Sequence, residues 1–379
     1  MNRDLILVSL SLMTWGIGEG MFILFQPLYL EELGADPFLI GIIMGAIGVV
    51  MAIGHLPAGF LSDRFGRRPL LIAAWIIGLA ATWLMALADS LQIFVIGGAL
   101  YGLTAFVIAP LNSYVTAANR RLSTGRVLTL TSAAYNAGAF LGPMLGGLIG
   151  EQFGLRRNFL IAAVIFTFST LIILNIRPQP VVEPHTQEWW RQPKRVLQPR
   201  FIQYLGVVFV VMFCLYLPQP LSQNFLLNER DLNLTSIGFL ISARSLGVVI
   251  LNLILGWVQA PLGFLLSQIS VGLFTLLIGF GTGIPSYFLG YFLMGGYQTA
   301  RALASAQTRD LIDKTNMGLA YGSVETVNSI AIIIAPPLAG ILYNQNPEWI
   351  YMLSFVLIGV AIMVTLIFSP VKIKLRTQN

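Results

Sequence analysis

Charge is what this sequence has least of. Only 10% of its 379 residues are charged, against 56% hydrophobic residues and a mean hydropathy of +0.79. A water-soluble domain carries roughly 25% charged residues, so the composition points to a membrane protein. Cysteine is almost absent. Cys214 stands alone inside an apolar run, which excludes an intrachain disulfide, and no Cys/His spacing suits a metal. No Walker A sequence occurs, so ATP is not the expected driver, and no constellation of residues points to an enzyme or a cofactor. The short alternating segments of a β-barrel are missing. No large soluble domain interrupts the apolar runs. The net charge of +6 is not a nucleic-acid signal, because the basic residues lie between apolar runs, where they would face a membrane surface.

What is present is a succession of long apolar runs. Crossing a ~30 Å hydrocarbon layer takes about 20 residues as a helix, and a helix satisfies its own backbone hydrogen bonds in lipid. Twelve such spans are expected, at about 5–29, 38–60, 69–88, 91–117, 127–150, 157–176, 201–226, 236–257, 262–281, 284–308, 318–343 and 348–369. The opening MNRDLILVSLSLMTWG has too long an apolar stretch for a cleaved signal and no A-x-A site follows it, so it reads as a retained first span. With both termini inside, the inner connections hold seventeen Lys and Arg and the outer ones only Arg156, Arg157 and Arg230. That asymmetry places both termini in the cytoplasm. Residues 177–200, rich in Pro and basic residues, read as a cytoplasmic linker between a bundle over 1–176 and a second over 201–379, which ends in a short basic cytoplasmic tail. Trp189 and Trp190 within the linker suit the headgroup level.

The halves repeat weakly. A shift of 193 residues lays GPMLGG (Gly142 to Gly147) on APPLAG (Ala335 to Gly340), Gly102 on Gly295 and Gly125 on Gly318. Several matches at one offset, on corresponding spans, suggest two six-helix halves with a site between them.

One connection spends charge freely. GFLSDRFGRR, after the second span, packs Asp63, Arg64, Arg67 and Arg68 around Gly66 and follows Gly59 and Leu61. These residues match the G-x-L-x-D-R-x-G-R-R/K loop signature of the major facilitator superfamily, which the chain resembles over its whole length. On the fifth span Gly138, Gly142, Pro143, Gly146 and Gly147 resemble that superfamily's g-x-x-x-G-P-x-x-G-G pattern, associated with drug/proton antiporters. FQPLYLEELG, Phe25 to Gly34, is similar to the small-molecule exporter branch. The resemblance implies an all-α membrane protein of two pseudo-symmetric six-helix bundles working by alternating access. It also shows departures: Gly98 stands where proton-coupled exporters usually carry an Arg, and Ala117 where an acid is expected, with Asp310 as its counterpart.

Physically, Gly59 permits close helix approach, Gly66 permits a tight turn, and Asp63 can cap a helix or accept from Arg67. The loop reads as both a topology signal and a cytoplasmic gate. The span-five motif reads either as a hinge or seal, or as close packing at small residues, with Pro143 bending the helix. Four charges lie inside spans: Glu19, Arg244, Arg301 and Glu325. Intramembrane charge costs about 2.5–3.5 kcal/mol even on lenient scales, so each implies function or pairing. Arg301 and Glu325 lie at equal depth on neighbouring spans and suggest a structural pair. Glu19 has no evident partner. It can exchange protons or attract a cationic substrate, or it is a structural acid bonded to groups such as Thr14. The partner of Arg244 is not evident, and His55 reads as a packed neutral histidine before a pH sensor.

The expected function is proton-coupled export of amphipathic small molecules by a monomer in the cell (inner) membrane. The alternatives are a facilitator or importer of a polar metabolite or organic anion with Arg244 and Arg301 as ligands and, less strongly, a lipid translocator or a non-transporting receptor. Protons and the lipid bilayer are the expected partners beside the substrate; no metal, cofactor or nucleic acid is expected.

Overall fold

A computed structural model describes residues 3–55, 66–118, 124–179, 198–308, 311–312 and 317–370. Every regular element among them is a helix. In chain order these are α1 (Arg3–Phe22), α2 (Gln26–Glu32), α3 (Pro37–His55), α4 (Arg67–Ala86), α5 (Leu91–Leu103), α6 (Ile108–Ala118), α7 (Thr124–Phe153) and α8 (Leu155–Ile173). There follow α9 (Pro199–Tyr216), α10 (Ser222–Asn228), α11 (Leu234–Gly256), α12 (Ala260–Gly279), α13 (Ile284–Met294), α14 (Gly296–Gln307), α15 (Met317–Gln345) and α16 (Trp349–Phe368). Nine helices among the described residues are long and apolar enough to cross a membrane, or ten if α5 and α6, bent by 41°, form one span. The expected spans at 127–150 and 284–308 are helical but not among them. α7 dilutes its apolar residues with Gly, Ser, Thr and Asn, and Gly295 splits the other into α13 and α14, of 11 and 12 residues. Large apolar side chains such as Phe168, Leu253 and Val356 stand exposed, at 59%, 61% and 60%, as a lipid-facing surface requires.

Four of the expected continuous spans are broken helices. α1 and α2 part at residues 23–25, α5 and α6 at a 3-10 turn over Thr104–Val107, α9 and α10 at 217–221, and α13 and α14 at Gly295. Pro27 and Pro220, each preceded by Gln, sit at the first and third breaks, 193 residues apart. Proline withholds a backbone donor there. At Gly295 the reason is proximity: a Cβ would lie 2.4 Å from the Val248 nitrogen of α11.

Contacts divide the chain into two compact units. The first comprises Met1–Asp36, Ala46–Thr186 and Leu226–Ser242, the second Pro37–Gly45, Gln187–Phe225 and Ala243–Asn379. Each unit thus contains a stretch from the other half of the sequence.

The first unit is organised by α1 against α7. A Cβ on Gly138 would lie 2.1 Å from the Met13 carbonyl oxygen, one on Gly142 2.4 Å from that of Ile17, and one on Gly146 2.7 Å from that of Met21. Both series advance by four residues, so two backbones run in contact for just over two turns, the close approach that small residues permit in lipid. The next glycine of the motif faces elsewhere. A Cβ on Gly147 would lie 2.5 Å from the Leu234 oxygen, and one on Gly238 2.4 Å from the Pro143 oxygen, so the motif packs on α1 with one face and on the start of α11 with another. Around Trp15 an aromatic core closes the unit, with ring centroids 4.4 Å from Phe166 and 4.8 Å from Trp75. The Trp75 indole donates to the Ser169 hydroxyl at 3.0 Å.

The second unit repeats the device at the 193-residue offset. A Cβ on Gly340 would lie 2.4 Å from the Pro37 oxygen, and one on Gly41 2.3 Å from the Pro336 oxygen, joining α15 to the start of α3.

A side chain at Gly142 must therefore push two backbones apart. Gly142→Val is expected to cost about 1–3 kcal/mol and to lower the melting temperature in detergent by several degrees. Gly206, with nothing within 4 Å of its Cβ position, tests the contrast. Gly206→Ala should be neutral or stabilising by up to about 1 kcal/mol, and equal losses at the two positions would contradict the backbone contact.

Candidate functional site

Glu19 emerges from the α1 face that Gly16 and Gly20 keep flat against α7. It is half-buried, and the Tyr135 hydroxyl of α7 donates to its Oε2 at 2.8 Å. Tyr101 of α5 and Trp15 of α1 also present side-chain donors to it. Trp15 and Tyr101 stack with centroids 6.1 Å apart, and Phe22 meets the Tyr101 ring edge-on at 5.0 Å. The result is one carboxylate among aromatic faces, a surrounding suited to a proton or an organic cation. Thr14 is not its partner: that hydroxyl donates to the Leu10 and Ser11 carbonyls at 3.1 and 2.9 Å.

Gly98, at the place of the exporters' Arg, faces the flexible end of a side chain, which a larger residue would have to displace. A Cβ there would lie 3.0 Å from Ile47 and 4.0 Å from the Gln26 amide nitrogen, and that amide reaches the Met85 sulfur at 3.6 Å. Asp310 lies outside the described residues.

The second unit holds a separate polar cluster. Arg301 of α14 donates to Glu325 Oε2 of α15 from Nε at 3.0 Å and from Nη2 at 2.5 Å. The two side chains remain 35% and 42% exposed, so the pair is only partly buried. Tyr216 of α9 and Tyr297 of α14 lie beside them with centroids 5.4 Å apart, and the Tyr297 hydroxyl donates to Asn328 Oδ1 at 3.0 Å. Arg244 of α11 acts electrostatically on Tyr216, Tyr291 and Tyr297, which places it in the same cluster.

Of the loop motif, Gly59, Asp63 and Arg64 lie outside the described residues. Gly66 has φ +82° at the N-cap of α4, a conformation that favours glycine. Arg68 donates to the Ile176 and Leu174 carbonyls at 2.8 and 3.3 Å, closing the C-terminus of α8. Arg67 donates to Gln179 at 3.2 Å, and the Gln179 amide donates to the Tyr114 carbonyl at 2.9 Å. These arginines therefore fasten the segment that leaves α8 toward residue 180. Arg156 meets Asp89 at 2.6 Å, and Arg157 lies over the Phe153 ring at 5.6 Å, which gives both basic residues of that connection local partners.

A cleft of about 440 Å³ opens in the first unit among Leu28, Glu31, Glu32, Glu151, Asn228 and Leu234. Glu31 accepts from the Asn228 amide at 2.8 Å, and Glu151 accepts from the Leu234 N–H at 2.7 Å. Partial burial pushes Glu32 above its ordinary value. Among the described residues no group of three His, Cys, Asp or Glu can hold a metal ion.

Sequence reasoning missed Tyr135, Tyr101 and Trp15 as partners of Glu19. The available signal was an aromatic hydroxyl one turn before Gly138, where the glycine face begins.

Removing either Arg301 or Glu325 leaves the other charge unmatched. Each of Arg301→Met and Glu325→Gln is expected to cost about 1–3 kcal/mol, below the ~3–5 of a fully buried pair because both side chains keep solvent access. The double variant should lose less than the sum, read as detergent melting temperatures; strictly additive losses would show that the pair contributes nothing.

Comparison with known proteins fits this architecture. The chain is 24% identical over 373 residues to Multidrug resistance protein 2 of Bacillus subtilis (strain 168), covering 94% of this chain and 92% of that one. It is 30% identical over 220 residues to Multidrug resistance protein MdtG of Escherichia coli (strain SMS-3-5 / SECEC), 56% of this chain and 54% of that one. Its fold resembles that of nucleoside transporter NupG, with a TM-score of 0.80, 14% identity and coverage of 97% and 98%. It also resembles peptide transporter POT in complex with sulfate, with a TM-score of 0.76, 16% identity and coverage of 97% and 94%. The Major Facilitator Superfamily profile matches residues 8–225 and 204–378. The chain therefore belongs to the Major Facilitator Superfamily, as a multi-pass integral membrane transporter of small molecules and not an enzyme.

Proposed function

We propose that the protein is a secondary active exporter of amphipathic small molecules, driven by protons through alternating access. The observation that carries this reading is Glu19, an acid whose described side-chain partners are Tyr135, Tyr101 and Trp15, none of them a base. A carboxylate so placed exchanges between a proton and a cationic group, which is the core of an antiport cycle. Relatives named for multidrug resistance support efflux. In this scheme the bundles 1–176 and 201–379 rock about the linker 177–200, in the inner membrane, with both termini cytoplasmic and the protein monomeric. Asp63, with Gly59 and Arg64, belongs to the cytoplasmic gate, and Arg67 and Arg68 tie that gate to the end of α8.

A second reading, a facilitator or importer of an organic anion, draws on the unit-two cluster, where Arg244 adds a positive charge beside the Arg301–Glu325 pair.

Purified protein in proteoliposomes, with tetraphenylphosphonium as the probe, separates these readings. A pH gradient should drive accumulation in the wild type. Glu19→Gln should abolish accumulation while the protein stays folded, leaving downhill exchange if Glu19 only couples and no binding if it also holds the cation. Uphill transport by Glu19→Gln at the wild-type rate and pH dependence would make Glu19 structural. Asp63→Asn should slow turnover several-fold with little change in probe affinity, as a gate residue does. A large affinity loss at normal turnover would instead place Asp63 at the binding site.

A further inference from the structure

We infer that Tyr135 is a positioning residue for Glu19: its hydroxyl donates a hydrogen bond to the ionised carboxylate, and protonation of Glu19 weakens that bond. This rests on Glu19 as the titrating group of the proposed cycle.

A phenol has one proton to give, and it goes to Glu19 Oε2 at 2.8 Å. The tyrosine is held there by backbone, not by flexible reach. A Cβ on Gly16 would lie 2.4 Å from the Tyr135 carbonyl oxygen, and three residues on Gly138 seats against Met13 and Ile17. Glu19 lies just under one turn beyond Gly16 on α1, so the same glycine contacts that join the helices set the separation of acid and phenol. The adjacent amide does not compete, because Asn136 donates back to the Ser132 carbonyl and hydroxyl at 2.8 and 3.2 Å. Among the described residues the other groups facing the carboxylate are Tyr101 and Trp15, and neither carries a charge. Of the polar side chains on α7, it is therefore Tyr135 that reaches the acid.

The hydroxyl favours the ionised acid because a carboxylate accepts a charge-assisted hydrogen bond more strongly than a carboxylic acid accepts a neutral one. Proton uptake at Glu19 weakens that contact, and the helix pair clamped through Gly138 and Gly142 is where the change is felt first. The span-five motif is then linked to the coupling acid through one phenol.

The test measures the pH midpoint of gradient-driven tetraphenylphosphonium uptake in proteoliposomes for the wild type, Glu19→Gln, Tyr135→Phe and the protein carrying 3-fluorotyrosine at position 135. Tyr135→Phe keeps the ring and removes the donor, so the midpoint should move about one pH unit toward the alkaline side. The fluorinated phenol is a stronger donor of nearly the same shape and should move it the opposite way by a few tenths. Opposed shifts cannot arise from a packing role. If Tyr135→Phe fails to fold, the fluorinated protein decides alone. Unchanged midpoints in both, with gradient-driven uptake absent in Glu19→Gln, would overturn the role of Tyr135 and leave that of Glu19 intact. A wild-type pH profile in Glu19→Gln would overturn both.

Discussion

The contact between the backbones of α1 and α7 is the constraint on which the rest of the first unit depends. Three carbonyls on α1, those of Met13, Ile17 and Met21, face three glycines on α7, and no atom larger than hydrogen fits between them. Water is not available in the hydrocarbon core to drive helices together, so association rests on dispersion at short range. That explains why the motif consists of glycines. It also explains how an acid comes to be tolerated. With the helices this close, a side chain leaving α1 at Glu19 meets the Tyr135 phenol before it meets lipid.

The remaining surroundings of Glu19 follow from the same packing. Gly78 leaves space that the Trp15 ring enters, with an indole carbon 2.3 Å from where a Cβ would stand. The indole thereby stays against Trp75 and Phe166 and beside the acid. Aromatic pairs of this kind contribute about 0.5–1.5 kcal/mol each beyond their area. The core that stabilises the unit and the wall that faces the carboxylate are thus built from shared residues.

Much of the fold was legible in the sequence, because hydropathy over a 20-residue window reports membrane spans directly. The breaks in four spans were not, since such a window averages over a Pro or Gly; the paired Gln26–Pro27 and Gln219–Pro220 at the repeat offset were the overlooked sign. Glu19, Arg301 and Glu325 stood out because charge in an apolar run is costly, but their surroundings did not. Tyr135 lies 116 residues from Glu19, and no spacing rule reaches across that distance. The acceptors of Arg68 are backbone carbonyls at Leu174 and Ile176, which leave no residue signature at all. For the same reason the arginines of the loop motif read as topology and gate, and the hold of Arg67 and Arg68 on the end of α8 emerged only with the structure.

The two units keep the same packing device while their charges differ. Pro143 and Gly147 stand 193 residues before Pro336 and Gly340, and in each unit this pair packs on a helix start from the other half of the sequence. Polar chemistry does not follow that symmetry. The first unit holds Glu19 among aromatics, whereas the second holds Arg244 and an Arg301–Glu325 pair among tyrosines. Packing at small residues tolerates almost no substitution, because any added atom meets backbone. A side chain facing an open polar cluster meets only other side chains, which can be exchanged together. A repeat-built transporter is therefore free to change its polar side chains where they point away from the glycine contacts, as the side chain of Glu19 does toward Tyr135.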